Sequence, residues 1–103
     1  MQMGMVYKNS AAALTLPGGV TADNNTAVGF NGNDAVVLYK ISTTSNVDVF
    51  GRIGNNPGSA WTGTGGYTTE NKTLRRNSTV VGGVTVNPTG TGASAFTTLT
   101  TEW

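Results

Sequence analysis

The chain has 103 residues and carries six Lys and Arg against five Asp and Glu, a formal net charge of +1. A chain this short builds one small core, so a single domain over residues 1–103 is expected, and a charge so near zero leaves no long-range field to draw it onto nucleic acid or an anionic membrane. Cys and His are both absent, which removes disulfides, thiol nucleophiles, zinc ribbons and every imidazole acid or base.

Charged residues make up 11% of the chain, where an ordinary globular domain has about 25%. Thr, Asn, Ser and Gly stand in their place, the texture of a secreted or cell-surface β protein. Eleven Val against five Leu, with eighteen Thr besides, favour strand over helix, because β-branched side chains suit a pleated surface. No apolar run reaches the ~18 residues of a membrane span. The first residues, Met1 to Met5, lack the basic start and apolar stretch of a signal peptide.

Met3, Met5 and Tyr7 alternate with Gln2, Gly4 and Val6, a period-two pattern for a first strand. Asn9-Ser10 ahead of an Ala-rich stretch, stopped by Pro17-Gly18-Gly19, predicts one or two helical turns over residues 11–16. Residues 26–30 and 35–40 are apolar, β-branched runs separated by Asn31-Gly32-Asn33-Asp34, and the Asn-Gly step predicts a β-hairpin between them. Residues 47–53 alternate again, with Val47, Val49 and Ile53 on one side and Asp48, Phe50 and Arg52 on the other, and should pair beside the 35–40 strand. Residues 54–66 form a glycine-studded loop in which Trp61 is the one large apolar group, placed to pin the loop to the core edge. Two more short strands are predicted over 73–77 and 80–86, the second interrupted by Gly82-Gly83. Phe96, Leu99 and Trp103 are expected to anchor a final extended segment.

Candidate chemistry is sparse. Gly90-Thr91-Gly92-Ala93-Ser94-Ala95 fits a loose G-x-G-x-x-A pattern without the βαβ unit a nucleotide site requires, so no cofactor is assigned. Asn31 to Asp34 offer one carboxylate, too few for a calcium ion, and read as a turn. Arg75 and Arg76 form the one basic pair; strand alternation points them to opposite faces, so the one on the side of Leu74 is expected to reach over the core edge and pair with Asp48 or Asp34. Asp34, Asp48, Glu70 and Glu102 are the carboxylates from which a glycosidase pair would have to come, its members about 5 to 9.5 Å apart. No catalytic residue and no metal ligand is assigned.

Five motifs then occur in order. These are the run from Phe30 through Asn31-Gly32-Asn33-Asp34 to Tyr39; Asp48-Val49-Phe50-Gly51-Arg52-Ile53-Gly54; Asn56-Pro57-Gly58-Ser59-Ala60-Trp61; Thr73-Leu74-Arg75-Arg76; and Glu102-Trp103. In that order, from about Val6 to Trp103, the chain resembles the bacterial lamin tail domain. The resemblance implies an all-β, antiparallel immunoglobulin-like β-sandwich, incomplete at its N-terminal edge because the family's first strands have no counterpart here. Asn56 stands where the family commonly has an acidic residue, and Ala60 where it often has Glu, which removes any acid-dependent contact at that turn.

The resemblance implies a non-catalytic structural or protein-interaction module, not an enzyme, of the kind found beside other domains of secreted or surface bacterial proteins, and hence an extracellular or cell-surface location. The alternative is a carbohydrate- or surface-binding adhesion module, with Trp61 and Tyr67 as stacking faces and Asn56 among the hydrogen-bonding groups of the same loop. The third class is a fragment of a secreted nuclease or other hydrolase. A sheet edge left open at the front exposes unpaired backbone, so a homo-oligomer through the N-terminal edge, residues 1–7, is expected, with other domains or surface polymers as further partners and no nucleic acid.

Overall fold

A computed structural model of the chain describes residues 7–9, 18–19, 21, 24–26 and 31–103. The chain divides into two compact units, Met1–Phe30 and Asn31–Trp103. In the first, β1 (Tyr7–Asn9) and β2 (Asn24–Thr26) pair in parallel, with Tyr7 opposite Asn24 and Asn9 opposite Thr26. Parallel neighbours need a crossover connection instead of a tight turn. The strand expected through Met3 and Met5 lies, apart from Tyr7, outside the described residues, as do the helical turns expected over residues 11–16.

In the second unit, β3 (Val36–Lys40) and β4 (Ser45–Phe50) form a two-stranded antiparallel sheet. This is the pairing expected of the 35–40 run with the alternating 47–53 run, but β4 starts at Ser45 and ends at Phe50, short of Ile53. A short 3-10 turn, Ile41–Thr43, joins the strands and ends at Thr44, whose φ of 48° lets its N–H reach back to the Ile41 carbonyl at 3.1 Å. The ladder runs Val36 to Phe50, Val37 to Val49 and Leu38 to Asp48, then shifts so that Tyr39 faces Asn46. Val47 is left with no residue opposite, a bulge that turns Asp48 and Phe50 relative to the start of the strand.

Two expectations are corrected below. The hairpin expected about Asn31 to Asp34 takes its first strand from residues 26–30, of which 27–30 lie outside the described residues; Thr26 ends β2, and β3 pairs with β4. Gly32 does adopt the positive φ of 105° that the Asn-Gly step allows. Its bend docks the segment onto the Trp61 loop, because the Thr69 hydroxyl donates to the Gly32 carbonyl at 2.5 Å.

Residues 73–77 and 80–86 are not strands. Their N–H groups are satisfied elsewhere: Asn77 donates to the Glu102 carbonyl at 2.6 Å, Val80 to the Asn77 carbonyl at 3.0 Å, and Val84 to the Asp48 carboxylate at 2.8 Å. Gly82-Gly83 permits this, since a Cβ at Gly83 would collide with the Val47 carbonyl oxygen.

The chain end is helical instead of extended, with a 3-10 turn at Ala93–Ala95 and a single turn of helix, α1 (Leu99–Glu102). Phe96, Leu99 and Trp103 are spaced by three and four, the period that puts side chains on one helical face. The core is Trp61, Ala95, Phe96 and Leu99, flanked by Phe50, Leu74 and Trp103. Its aromatics meet edge to face, Phe50 on Phe96 at 4.6 Å, Phe50 on Trp103 at 5.2 Å and Trp61 on Phe96 at 6.3 Å, the arrangement the ring quadrupole favours. The molecule is thus small, with one two-stranded antiparallel sheet in this unit and little helix. That is compatible with a β-rich fold, and within this unit β3 and β4 form the one sheet among the described residues.

Gly51, at φ 81°, stands so close to the Trp61 indole that a Cβ would lie 3.0 Å from three of its ring atoms. Gly51→Ala is expected to cost about 2 to 4 kcal/mol, from left-handed backbone strain together with overpacking. Urea unfolding monitored by Trp fluorescence measures it, and a loss below about 1 kcal/mol would show that the indole has room to move.

Candidate functional site

The loop from residue 54 to 70 is organised by Trp61, which is fully buried at 0% exposure. Its backbone N–H donates to the Thr69 hydroxyl at 3.0 Å, its carbonyl accepts the Thr69 N–H at 3.1 Å, and its indole Nε1–H donates to the Asp34 carbonyl at 2.9 Å. Thr69 passes the connection on to Gly32. The glycine-rich loop and the segment before β3 are therefore held as one body around a single indole. Tyr67, on the same loop, is exposed, and the Asn56 side chain accepts the Gly58 N–H at 2.9 Å, closing the Pro-Gly turn locally.

A second constellation surrounds Arg76. Its Nη1–H donates to Asp48 Oδ2 at 2.5 Å and Nη2–H to Asp48 Oδ1 at 3.0 Å, a bidentate fork. Nε–H and Nη2–H also donate to Glu102 Oε2, at 3.2 and 2.8 Å, and the guanidinium carbon lies 4.8 Å from the centre of the Trp103 ring, within cation–π range. Asp48 comes from β4, Glu102 from α1 and Arg76 from the irregular segment between them, so one guanidinium ties three parts of the unit together. The Trp103 indole N–H is buried there with no partner, a cost that the packing around it offsets.

Hydrogen bonding from Arg76 holds the Asp48 carboxyl below its ordinary pKa; burial opposes this, and the Val84 N–H reinforces it. The hydrogen bond to Asp48 likewise raises Arg76, so neither group exchanges a proton near neutral pH. A carboxylate kept ionised by a bidentate guanidinium is a poor proton donor. The two carboxylates that meet here thus share one cation, and Asp48 is held ionised by it.

Of the residues singled out in the sequence, the structure brings Arg76 to Asp48, and to Glu102 as well. Arg75 is exposed and has no ion pair among the described residues, and Asp34 lines a separate cleft with Arg52. Arg52 and Asn55 carry contacts that the sequence did not signal: Arg52 Nε–H donates to the Pro88 carbonyl at 2.9 Å, and Asn55 makes a reciprocal pair with the Gly92 backbone at 3.1 and 3.0 Å. Their partners lie more than thirty residues away, beyond any local spacing rule. A further cleft, lined by Thr62, Thr64, Thr97, Thr100 and Phe96, contains no ionisable side chain.

Comparison with known proteins returns no matching family model, no matching curated protein and no matching solved structure.

Because Asp48 has its pKa lowered in the folded state, its pairing stabilises the fold at pH values above the ordinary carboxylate range and loses that effect as pH falls through the depressed value. The site is 20 to 31% exposed, so Asp48→Asn is expected to cost about 1 to 2 kcal/mol at pH 7. The gap between variant and parent should narrow as pH drops below about 4, and chemical denaturation at stepped pH measures it. A gap that stays constant down to full protonation would remove the ion pair from the account. Arg76→Lys keeps the charge without the fork and should lose most of what Arg76→Ala loses.

Proposed function

We propose that the chain is a non-catalytic structural or protein-interaction module, an immunoglobulin-like β-sandwich of the lamin-tail type working outside the cell or at its surface, and that it associates with copies of itself. The observation that carries the interaction reading is the apolar row on β3 and its turn: Val36, Leu38 and Ile41 are 45, 52 and 82% exposed. The outer edge of β3 has no ladder partner among the described residues. An edge strand with free backbone groups and apolar side chains is a template for strand addition, and a second copy meeting it about a two-fold axis satisfies both edges at once. The N-terminal residues expected at such an interface, 1–6, lie outside the described residues, so β3 is the edge on which the reading rests.

The adhesion alternative loses its stacking face, because an indole with no exposed surface offers a sugar nothing to lie on, and Tyr67 alone remains. The hydrolase alternative gains nothing from Asp48, which the Arg76 guanidinium holds ionised and which is therefore a poor proton donor. No helix of the described residues is long and apolar enough to cross a membrane.

Light scattering tests self-association. A species heavier than 10.6 kDa at micromolar concentration, reduced to monomer by Leu38→Lys with unchanged circular dichroism, is the expected result. A monomer whose unfolding temperature is independent of concentration would overturn it. Incubation with plasmid DNA and with nitrophenyl glycosides should give no turnover; hydrolysis abolished by Asp34→Ala or Asp48→Ala would replace the module reading with an enzyme.

A further inference from the structure

One cleft of the second unit is built differently from the rest of the surface. It encloses about 420 Å³ and is lined by Asn33, Asp34, Arg52, Gly54, Asn55 and Asn56, within the size range of small-molecule sites. Three of its polar side chains, Arg52, Asn33 and Asn56, are tied to backbone through one atom and have others left over. Arg52 spends Nε–H on the Pro88 carbonyl at 2.9 Å, and its two amino groups have no partner among the described residues. Asn33 spends its amide N–H on the Gly58 carbonyl at 2.9 Å and keeps its oxygen, whereas Asn56 spends its oxygen on the Gly58 N–H at 2.9 Å and keeps its amide nitrogen. Asn55 is locked by its two-way pair with Gly92.

Asp34 is fixed through its backbone, since the buried Trp61 indole holds its carbonyl at 2.9 Å, while its carboxylate has no hydrogen-bond or ion-pair partner among the described residues. An anion and a cation thus line one cleft, each with unused hydrogen-bonding capacity, and neither neutralises the other by contact.

From this we infer that the cleft is a binding site for a neutral saccharide, engaged through a pair of adjacent hydroxyl groups. A hydroxyl both donates and accepts, so a vicinal diol can give its protons to the Asp34 carboxylate and the Asn33 oxygen. It takes hydrogen bonds in return from the Arg52 amino groups and the Asn56 amide. Anionic ligands such as phosphate would meet the Asp34 carboxylate, and a divalent cation would find one carboxylate beside a guanidinium, short of the oxygen ligands it needs. The Asn33, Arg52, Asn55 and Asn56 side chains are held in place before the ligand arrives, which lowers the ordering cost of binding. The lining has no aromatic platform, so affinity is expected at about the millimolar level. This site does not depend on the module reading: it uses neither β3 nor an oligomer, and either can fail without the other.

Titration of the isotopically labelled full chain with cellotetraose, xylotetraose, mannotetraose and chitotetraose, each to about ten times a millimolar dissociation constant, tests the inference by heteronuclear NMR. At least one of the four should move the amide signals of Asn33, Asp34, Arg52, Asn55 and Asn56, with binding weakened tenfold or more by Asp34→Asn and by Arg52→Gln. Asp34→Asn keeps the backbone carbonyl that Trp61 needs, so unchanged indole emission reports an intact fold and lets that variant decide if Arg52→Gln unfolds. No shift with any of the four sugars, shifts of equal size in Asp34→Asn, or the same shifts produced by the zwitterion glycine would each overturn it.

Discussion

The hydrogen bond from the Trp61 indole to the Asp34 carbonyl is the constraint on which the second unit depends. Burying an indole removes a large apolar surface from water but also hides an N–H that must find an acceptor. The chain supplies one by bringing the segment before β3 underneath the glycine-rich loop. Once that contact is set, Thr69 has to face Gly32, Gly51 has to pass beside the ring without a side chain, and Phe96 completes the far edge of the indole. The abundance of glycine around Trp61 follows from this: backbone approaches the ring where a larger residue would hold it off.

The few charges of the chain are placed with similar economy. In a surface that is mostly Thr, Asn and Gly, the Asp48, Arg76 and Glu102 cluster puts three of the charged side chains at one edge of the core, where partial burial makes their geometry count. It joins β4 to α1 at the point where α1, with only four residues, could not hold itself by its own hydrogen bonds. Asp34 and Arg52 show the opposite arrangement, two charges supported from behind and left open in front. The first pair holds structure and the second faces solvent, and what separates them is whether the side-chain heads are spent on each other.

What could be read from the sequence was what depends on near neighbours. The apolar, β-branched run of residues 35–40 and the alternation in 47–53 located β3 and β4 and their pairing, although β4 runs from Ser45 to Phe50, and Trp61 stood out as the anchor of its loop because nothing else large was near it. The side of the chain shared by Leu74 and Arg76 followed from simple alternation, although the segment is not a strand. At Asn31 to Asp34 the turn chemistry specified the bend, with Gly32 at positive φ, but not the contact that the bend makes with Thr69. The segments 73–77 and 80–86 carried strand-forming residues, yet side chains and turns took up their backbone donors, and tertiary context overrode propensity. Phe96, Leu99 and Trp103 had helical spacing too short in extent to be told from an extended run. The cleft of Asp34 and Arg52 could not be seen at all, since its walls come from segments brought together by distant contacts with Gly58, Trp61, Asn87, Pro88 and Gly92. The sandwich and the lamin-tail likeness rest on motif order alone, and no comparison with known proteins bears on them.

The contacts that define the unit are far apart along the chain. The side-chain hydrogen bonds from Trp61 to Asp34, from Arg76 to Asp48 and from Asn55 to Gly92 span 27, 28 and 37 residues. Each must close a loop before it returns any stability, and the entropy of closure is lost first. Local structure offers little to offset that cost, because among the described residues the longest helix is one turn and the longest strand has six residues. Such a topology places the chain among slow folders, on the scale of milliseconds to seconds, and leaves its apolar edge strand uncovered for that interval. For a protein of this composition the hazard lies in the time before Trp61 is enclosed, and the scarcity of long apolar runs in its sequence limits how much a half-folded chain can offer to its neighbours.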